Sequence, residues 1–170
     1  MVKIAFSGKC TSGKSTSAKL VKKSEPKTII FSFAKKIYDL AYELFDMKEN
    51  EKDRDLLINI GKKMREINEC VWLDYIVKQS KDMDNVVIDD LRFPNEFTKL
   101  REEGFILVRL HVSTETQIKR LTELYPTTWK EQLEKLGDYS EIALDNHDFD
   151  YTINTENFNE IHDFINKMNG

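Results

Sequence analysis

The sequence predicts an α/β fold, a parallel sheet covered by helices on both faces, on three observations. Short apolar runs of strand type recur at residues 2–6, 28–32, 85–89, 105–112 and 151–153. Between them lie segments whose apolar residues return at helical spacing. The stretch Gly8-Lys9-Cys10-Thr11-Ser12-Gly13-Lys14-Ser15 fits G-x-x-x-x-G-K-[ST] in full and sits between the first strand and a helix over 14–23, the context this motif requires. Buried strands joined through helices run parallel.

Each element follows from its own pattern. After the strand at 28–32, Ile37, Leu40, Ala41, Leu44 and Phe45 mark one helix. Leu56, Leu57, Ile60, Met64 and Ile67 mark a second, and Trp72, Leu73, Ile76 and Val77 a third. Together they form an all-helical insertion over 33–82, between the second and third strands. The strands at 85–89 and 105–112 are followed by a helix over 114–124 and a polar, Pro-containing stretch over 124–144. There, Thr128 and Glu131 have the spacing of a capping box, Trp129, Leu133 and Leu136 share a face, and Gly137 supplies a stop. Phe158, Ile161, Phe164, Ile165 and Met168 line a closing helix after the last strand. With no repeat, linker or low-complexity tract, the 170 residues read as one domain.

Composition narrows the function classes. A net charge of −4 lacks the basic footprint of a nucleic-acid binder. No apolar run is long enough to span a bilayer, and none has the form of a signal peptide. Two cysteines, Cys10 and Cys70, make no disulfide framework and fit a reducing cytoplasm.

The loop carries the clearest chemistry. Gly8 and Gly13 let the backbone curl so that N–H groups point into one concavity at a helix N-terminus, an anion site. Residues Gly8, Lys9, Cys10, Thr11, Ser12, Gly13, Lys14, Ser15 and Thr16 are therefore expected to cradle the phosphates of ATP. Lys14 would reach the β- and γ-phosphates and the Ser15 hydroxyl would ligate Mg²⁺. Cys10, among N–H dipoles, is either a thiol of lowered pKa or a tolerated small residue.

A second signal, Asp89-Asp90-Leu91-Arg92-Phe93-Pro94-Asn95-Glu96, ends the third strand. A carboxylate here is placed to support Mg²⁺, and Arg92 would face the phosphates. Asp90 is the expected metal carboxylate, with Asp89 an open alternative. The bland reading is a turn in which Asp caps a helix starting near Pro94. The insertion would hold an acceptor, and the stretch over 124–144 would close as a lid that excludes water.

DLRFPNE, read with SFAKKI at 32–37, IGKKMREINECVWLD at 60–74 and SEIALD at 140–145, resembles the bacteriophage-type deoxynucleoside monophosphate kinases, which share part of the pattern with animal-type phosphomevalonate kinases. The resemblance spans nearly the whole chain. It implies a P-loop, nucleoside-monophosphate-kinase-like fold with a five-stranded parallel sheet in order 2-3-1-4-5. It also implies transfer of the γ-phosphate of ATP to a deoxynucleoside monophosphate with Mg²⁺. Residue by residue it assigns Asp90 and Arg92 to the D-x-R of the third strand and Arg65 to the acceptor's phosphate. Ser32, Phe33 and Ala34 border the acceptor, and Arg120 stands at the base of the lid.

Each cation has a structural alternative. Arg65 stands among Lys62, Lys63 and Glu66 as on a solvated face, and Arg54 is a second acceptor candidate. Arg101 and Arg109 read as structural. Trp72 is either core or a platform for an acceptor's base. The stretch between Leu121 and Leu144 offers only Lys130 and Lys135 as cations, so charge at the phosphates comes from one of these or from Lys14, Arg92 and Arg120, the last three expected with Asp90 to be catalytic. The expected partners are ATP and a deoxynucleoside monophosphate, with no nucleic-acid polymer and no membrane; a homodimer is compatible with the sequence. The alternatives are a kinase for another phosphorylated small acceptor, phosphomevalonate being one, or a nucleotide-binding module without catalysis.

Overall fold

The computed structural model describes residues 2–48 and 53–169. Residues 49–52 of the expected insertion thus lie outside the described residues. Five strands, β1 (Val2–Ser7), β2 (Ile29–Phe31), β3 (Asn85–Leu91), β4 (Ile106–His111) and β5 (Tyr151–Asn154), form one sheet in the order β2-β3-β1-β4-β5. β1 pairs in parallel with β3 and β4, and β4 with β5. This is the order the resemblance implied.

The side-chain alternation explains why the sheet is parallel and central. From β1, β3 and β4, Ile4, Phe6, Val87, Val108 and Leu110 join one buried cluster with Ala18 and Val21 of α1 (Lys14–Ser24) and Ile161, Phe164 and Ile165 of α9 (Asn159–Asn169). The intervening Ala5, Val86, Ile88 and Leu107 are also fully buried, on the other face. Both faces are apolar, so each needs a helical layer.

By backbone packing the chain separates into two compact units, Met1–Ile30 with Asp84–Gly170, and Phe31–Met83. The second unit holds α2 (Phe33–Phe45), α3 (Arg54–Ile67) and α4 (Val71–Ser80). Its core is built from Phe33, Ala41, Leu57, Ile60, Trp72, Leu73 and Ile76. Asp53 caps α3 by accepting from the Leu56 N–H at 2.9 Å. The Trp72 indole donates to the Gly61 carbonyl at 3.4 Å, which accommodates its one polar atom in this core.

The first unit also contains α5 (Pro94–Glu102), α6 (Thr114–Leu124), α7 (Trp129–Glu134), a 3-10 turn at Lys135–Gly137 and α8 (Tyr139–Ile142). Two caps that the sequence offered are not formed. Thr128 precedes α7 but its hydroxyl makes no cap, because φ −122°, ψ 12° is not the extended N-cap geometry. No aspartate caps α5; instead Glu96 reaches back to accept from the Arg92 and Phe93 N–H groups, both at 3.0 Å.

Two glycines set the loop between β1 and α1. Gly8 has φ +151° and Gly13 φ +89°; a Cβ on Gly13 would lie 2.9 Å from the Phe158 ring. Gly13→Ala should therefore destabilise the fold by roughly 1–3 kcal/mol through strain and collision. Urea unfolding with an unchanged midpoint would show that the loop relaxes around the methyl group.

Candidate functional site

The loop from Gly8 to Ser15 leaves β1 at the C-terminal edge of the sheet and enters α1. Five consecutive carbonyls of this loop are each held by a side chain. Lys14 Nζ donates to Gly8 O at 2.5 Å and to Lys9 O at 2.9 Å. Gln117 Nε2 donates to Cys10 O at 2.8 Å, Arg120 Nη1 to Thr11 O at 3.0 Å, and the Thr155 hydroxyl to Ser12 O at 2.6 Å. Because the peptide unit is planar, fixing each carbonyl also fixes the N–H that follows it. The loop is thereby preorganised as an anion nest.

Burial and the Arg92 guanidinium push the Lys14 ammonium down to about 8, against the pull of Glu141 and Asp90. Burial and Glu141 push the Cys10 thiol up, so the N–H dipoles do not make it a reactive thiolate. Burial opposes the charge on Arg92, but the Glu141 carboxylate and its hydrogen bond, with Asp90 beyond, outweigh it and push the guanidinium up.

The two carboxylates of β3 divide their tasks. The Ser15 hydroxyl donates to Asp89, whose pKa burial nonetheless raises. Asp89 Oδ1 is buried without a hydrogen-bond partner. Asp90 acts electrostatically on Lys14 and Arg92. A hydroxyl and a carboxylate with spare acceptor capacity, beside a phosphate loop, fit Mg²⁺, which takes oxygen ligands and completes its shell with phosphate and water. Among the described residues no group of three or more His, Cys, Asp or Glu side chains gathers as an all-protein metal site.

On the α6 side of the loop is a cavity of about 470 Å³ lined by Thr11, Gly13, Lys14, Arg120, Tyr125 and Phe158, among others. The Arg120 guanidinium lies 5.3 Å above the Phe158 ring and also donates to Thr155 O at 2.7 Å. Arg120 is thus both a clamp on the loop and part of this cavity's wall.

The segment over 124–144 meets the loop with an acid. Glu141 Oε2 accepts from the Cys10 N–H at 2.6 Å and Oε1 pairs with Arg92. Asp145 pairs with Arg109 and stands 3.7 Å from Lys9. Arg109 also donates to the Ser7 hydroxyl at 2.9 Å, so it braces the strand just before the loop. Lys130 lies over its neighbour Trp129 at 5.6 Å and is exposed.

In the helical unit, Arg65 Nη1 donates to Gly61 O at 3.3 Å. Phe33 and Trp72 are buried in that unit's core, Ser32 is half-buried and Ala34 exposed. Glu141, Gln117, Thr155 and Phe158 are site residues the sequence did not reveal. Glu141 lies in the SEIALD stretch that carried part of the resemblance; nothing in the pattern marked its partner.

Comparison with known proteins bears on the fold and the family. A search of curated proteins finds no match. Among solved structures the chain superposes on TT1252 from Thermus thermophilus with a TM-score of 0.62 at 15% identity, covering 98% of this chain and 95% of that one. Shikimate kinase from Bacteroides thetaiotaomicron gives a TM-score of 0.55 at 18% identity, covering 98% and 95% of the two chains. A gluconokinase from Sinorhizobium meliloti gives 0.53 at 17%, covering 98% and 88%. At these identities the likeness shows the fold alone. Residues 4–132 match the family model AAA_18, described as an AAA domain, and the chain belongs to that family.

Proposed function

We propose that this protein is an ATP-dependent phosphotransferase whose acceptor is a deoxynucleoside monophosphate. The observation that supports it best is the convergence of Lys14, Ser15, Asp89 and Arg92 on one preorganised nest, beside a cavity walled by Arg120, Tyr125 and Phe158 that suits a nucleoside. Phosphoryl transfer asks for positioning and neutralisation of charge on the transferring group rather than for covalent chemistry. Lys14 and Arg92 supply that charge, and Ser15 with Asp89 would hold Mg²⁺, which would add further neutralisation of the phosphates. Arg65 of the helical unit is the residue we assign to the acceptor's phosphate, with Ser32, Phe33 and Ala34 bordering the acceptor, while Trp72 serves the core of that unit. No general base is required, since an acceptor phosphate is already ionised. A sensor without catalysis has no use for Arg92 beside the nest.

The test is nucleotide turnover measured with and without a panel of deoxynucleoside and nucleoside monophosphates and phosphomevalonate. The reading predicts acceptor-dependent formation of a deoxynucleoside diphosphate. Turnover with phosphomevalonate alone would replace the acceptor, and slow hydrolysis unmoved by every acceptor would replace the activity.

The lowered pKa of Lys14 gives a pH dependence of definite sign. Phosphates bind the ammonium form and raise its pKa on binding. ATP affinity is then full below pH 8 and falls as pH rises above it, by up to about tenfold per unit. At pH 9 binding should take up close to one proton, readable by calorimetry in buffers of different ionisation heat. Affinity flat from pH 7 to 10 would mean that Lys14 does not contact the phosphates.

A further inference from the structure

Glu141 enters the loop from a helix of only four residues, and its side chain is 9% exposed. Its two carboxylate oxygens take the Cys10 N–H and the Arg92 guanidinium. Both donors are ones a phosphoryl group would use: an N–H of the anion nest and a charged planar fork. The arrangement is anchored twice more. Asp145, four residues on, binds Arg109 and faces Lys9, and the Tyr139 ring stacks on Phe93 at 6.1 Å, next to Arg92 in sequence.

We propose that Glu141 is a displaceable internal occupant of the phosphate nest, seated where the terminal phosphoryl group of a triphosphate goes. This rests on the triphosphate reading above. Two anions cannot share the single Cys10 N–H, and like charges repel in a water-poor site, so the carboxylate must leave when the phosphoryl group enters. The polarity of the site decides which phosphate does this. The cavity walled by Arg120, Tyr125 and Phe158 contains neither Arg92 nor Glu141 among its lining residues; it reaches the loop at Cys10, whose N–H Glu141 occupies. A nucleotide with its nucleoside in that cavity runs its phosphate chain along the loop, and only the terminal group of a triphosphate reaches Glu141. A diphosphate ends short of it. Displacement frees the segment around Glu141, and Arg92 exchanges a carboxylate partner for the transferring group. If the seated form makes up about nine-tenths of the protein, apparent triphosphate affinity is lowered about tenfold.

The experiment is calorimetric binding of Mg·ATP and Mg·ADP to the wild type, Glu141→Gln and Asp145→Asn. Glu141→Gln should bind ATP about tenfold more tightly with ADP affinity unchanged, and Asp145→Asn should show a smaller gain of the same selectivity. Hydrogen exchange at residues 139–145 should quicken in Glu141→Gln, and in the wild type when ATP is added. ATP affinity equal to or weaker than wild type in both variants would overturn the proposal, since Glu141 would then support the nucleotide rather than compete with it. If the wild type and both variants all fail to bind ATP, the triphosphate reading itself falls, a result distinct from the loss of selectivity.

Discussion

Lys14→Ala should lower phosphoryl transfer by about 10²–10³-fold while leaving a folded protein. In the structure the ammonium lies at the nest, its pKa lowered to about 8 by burial and Arg92. Below that pH it is already an ammonium, and growth of charge on a transferring phosphoryl group would strengthen its hold on the proton. Loss of one preorganised donor of this kind costs about 3–4 kcal/mol of transition-state stabilisation. Lys14 also ties the Gly8 and Lys9 carbonyls, so some of the loss is loop order rather than charge. Lys14→Met retains most of the aliphatic packing and separates this part from helix stability. Single-turnover rates beside thermal melts make the measurement. A melt near wild type together with most of the wild-type rate would refute the assignment of the site.

Arg92→Ala has two expected consequences that a double variant separates. Removing a guanidinium that faces a transferring phosphoryl group should slow transfer by about 10³-fold or more. It also strips Glu141 of its charged partner, leaving a nearly buried carboxylate with one N–H. Stability should fall by roughly 1–3 kcal/mol, since the remaining charge is incompletely satisfied. Adding Glu141→Gln should restore most of that stability and none of the rate. If the double variant instead melts with the single one, Arg92 stabilises the fold through other contacts. If it recovers turnover, Arg92 serves only to manage Glu141.

The order of strands and helices was legible because it depends on local periodicity. The runs around Val87 and Val108 are apolar on successive residues, as a strand covered on both faces must be, and the strand order followed from the resemblance. The loop and the Asp89 to Arg92 stretch were legible for a similar reason: their chemistry is confined to a few consecutive residues. What could not be read was whatever reaches the loop through the fold. Gln117, Glu141 and Thr155 bond loop residues from 107, 131 and 143 positions away. In the sequence Gln117 is an ordinary helix former and Thr155 an ordinary turn residue. In the polar stretch over 124–144 the sequence offers Lys130 and Lys135 as cations for phosphates, but gives no sign that Glu141 reaches the loop. The cap at Thr128 failed because that signature specifies spacing but not the backbone angles that the preceding turn imposes.

The five clamped carbonyls have a consequence for anyone who would transplant this loop. The eight residues from Gly8 to Ser15 contain the N–H groups, but the clamps on Cys10, Thr11 and Ser12 come from α6 and from the end of β5. Moved to a host scaffold by themselves, the same letters would carry the glycines and the lysine and lose the orientation of three peptide planes. A faithful graft is a discontinuous one, with Gln117, Arg120 and Thr155 travelling as part of the motif. By the same logic, a relative that keeps the signature but has lost those three positions would have an intact fingerprint and a floppy hand.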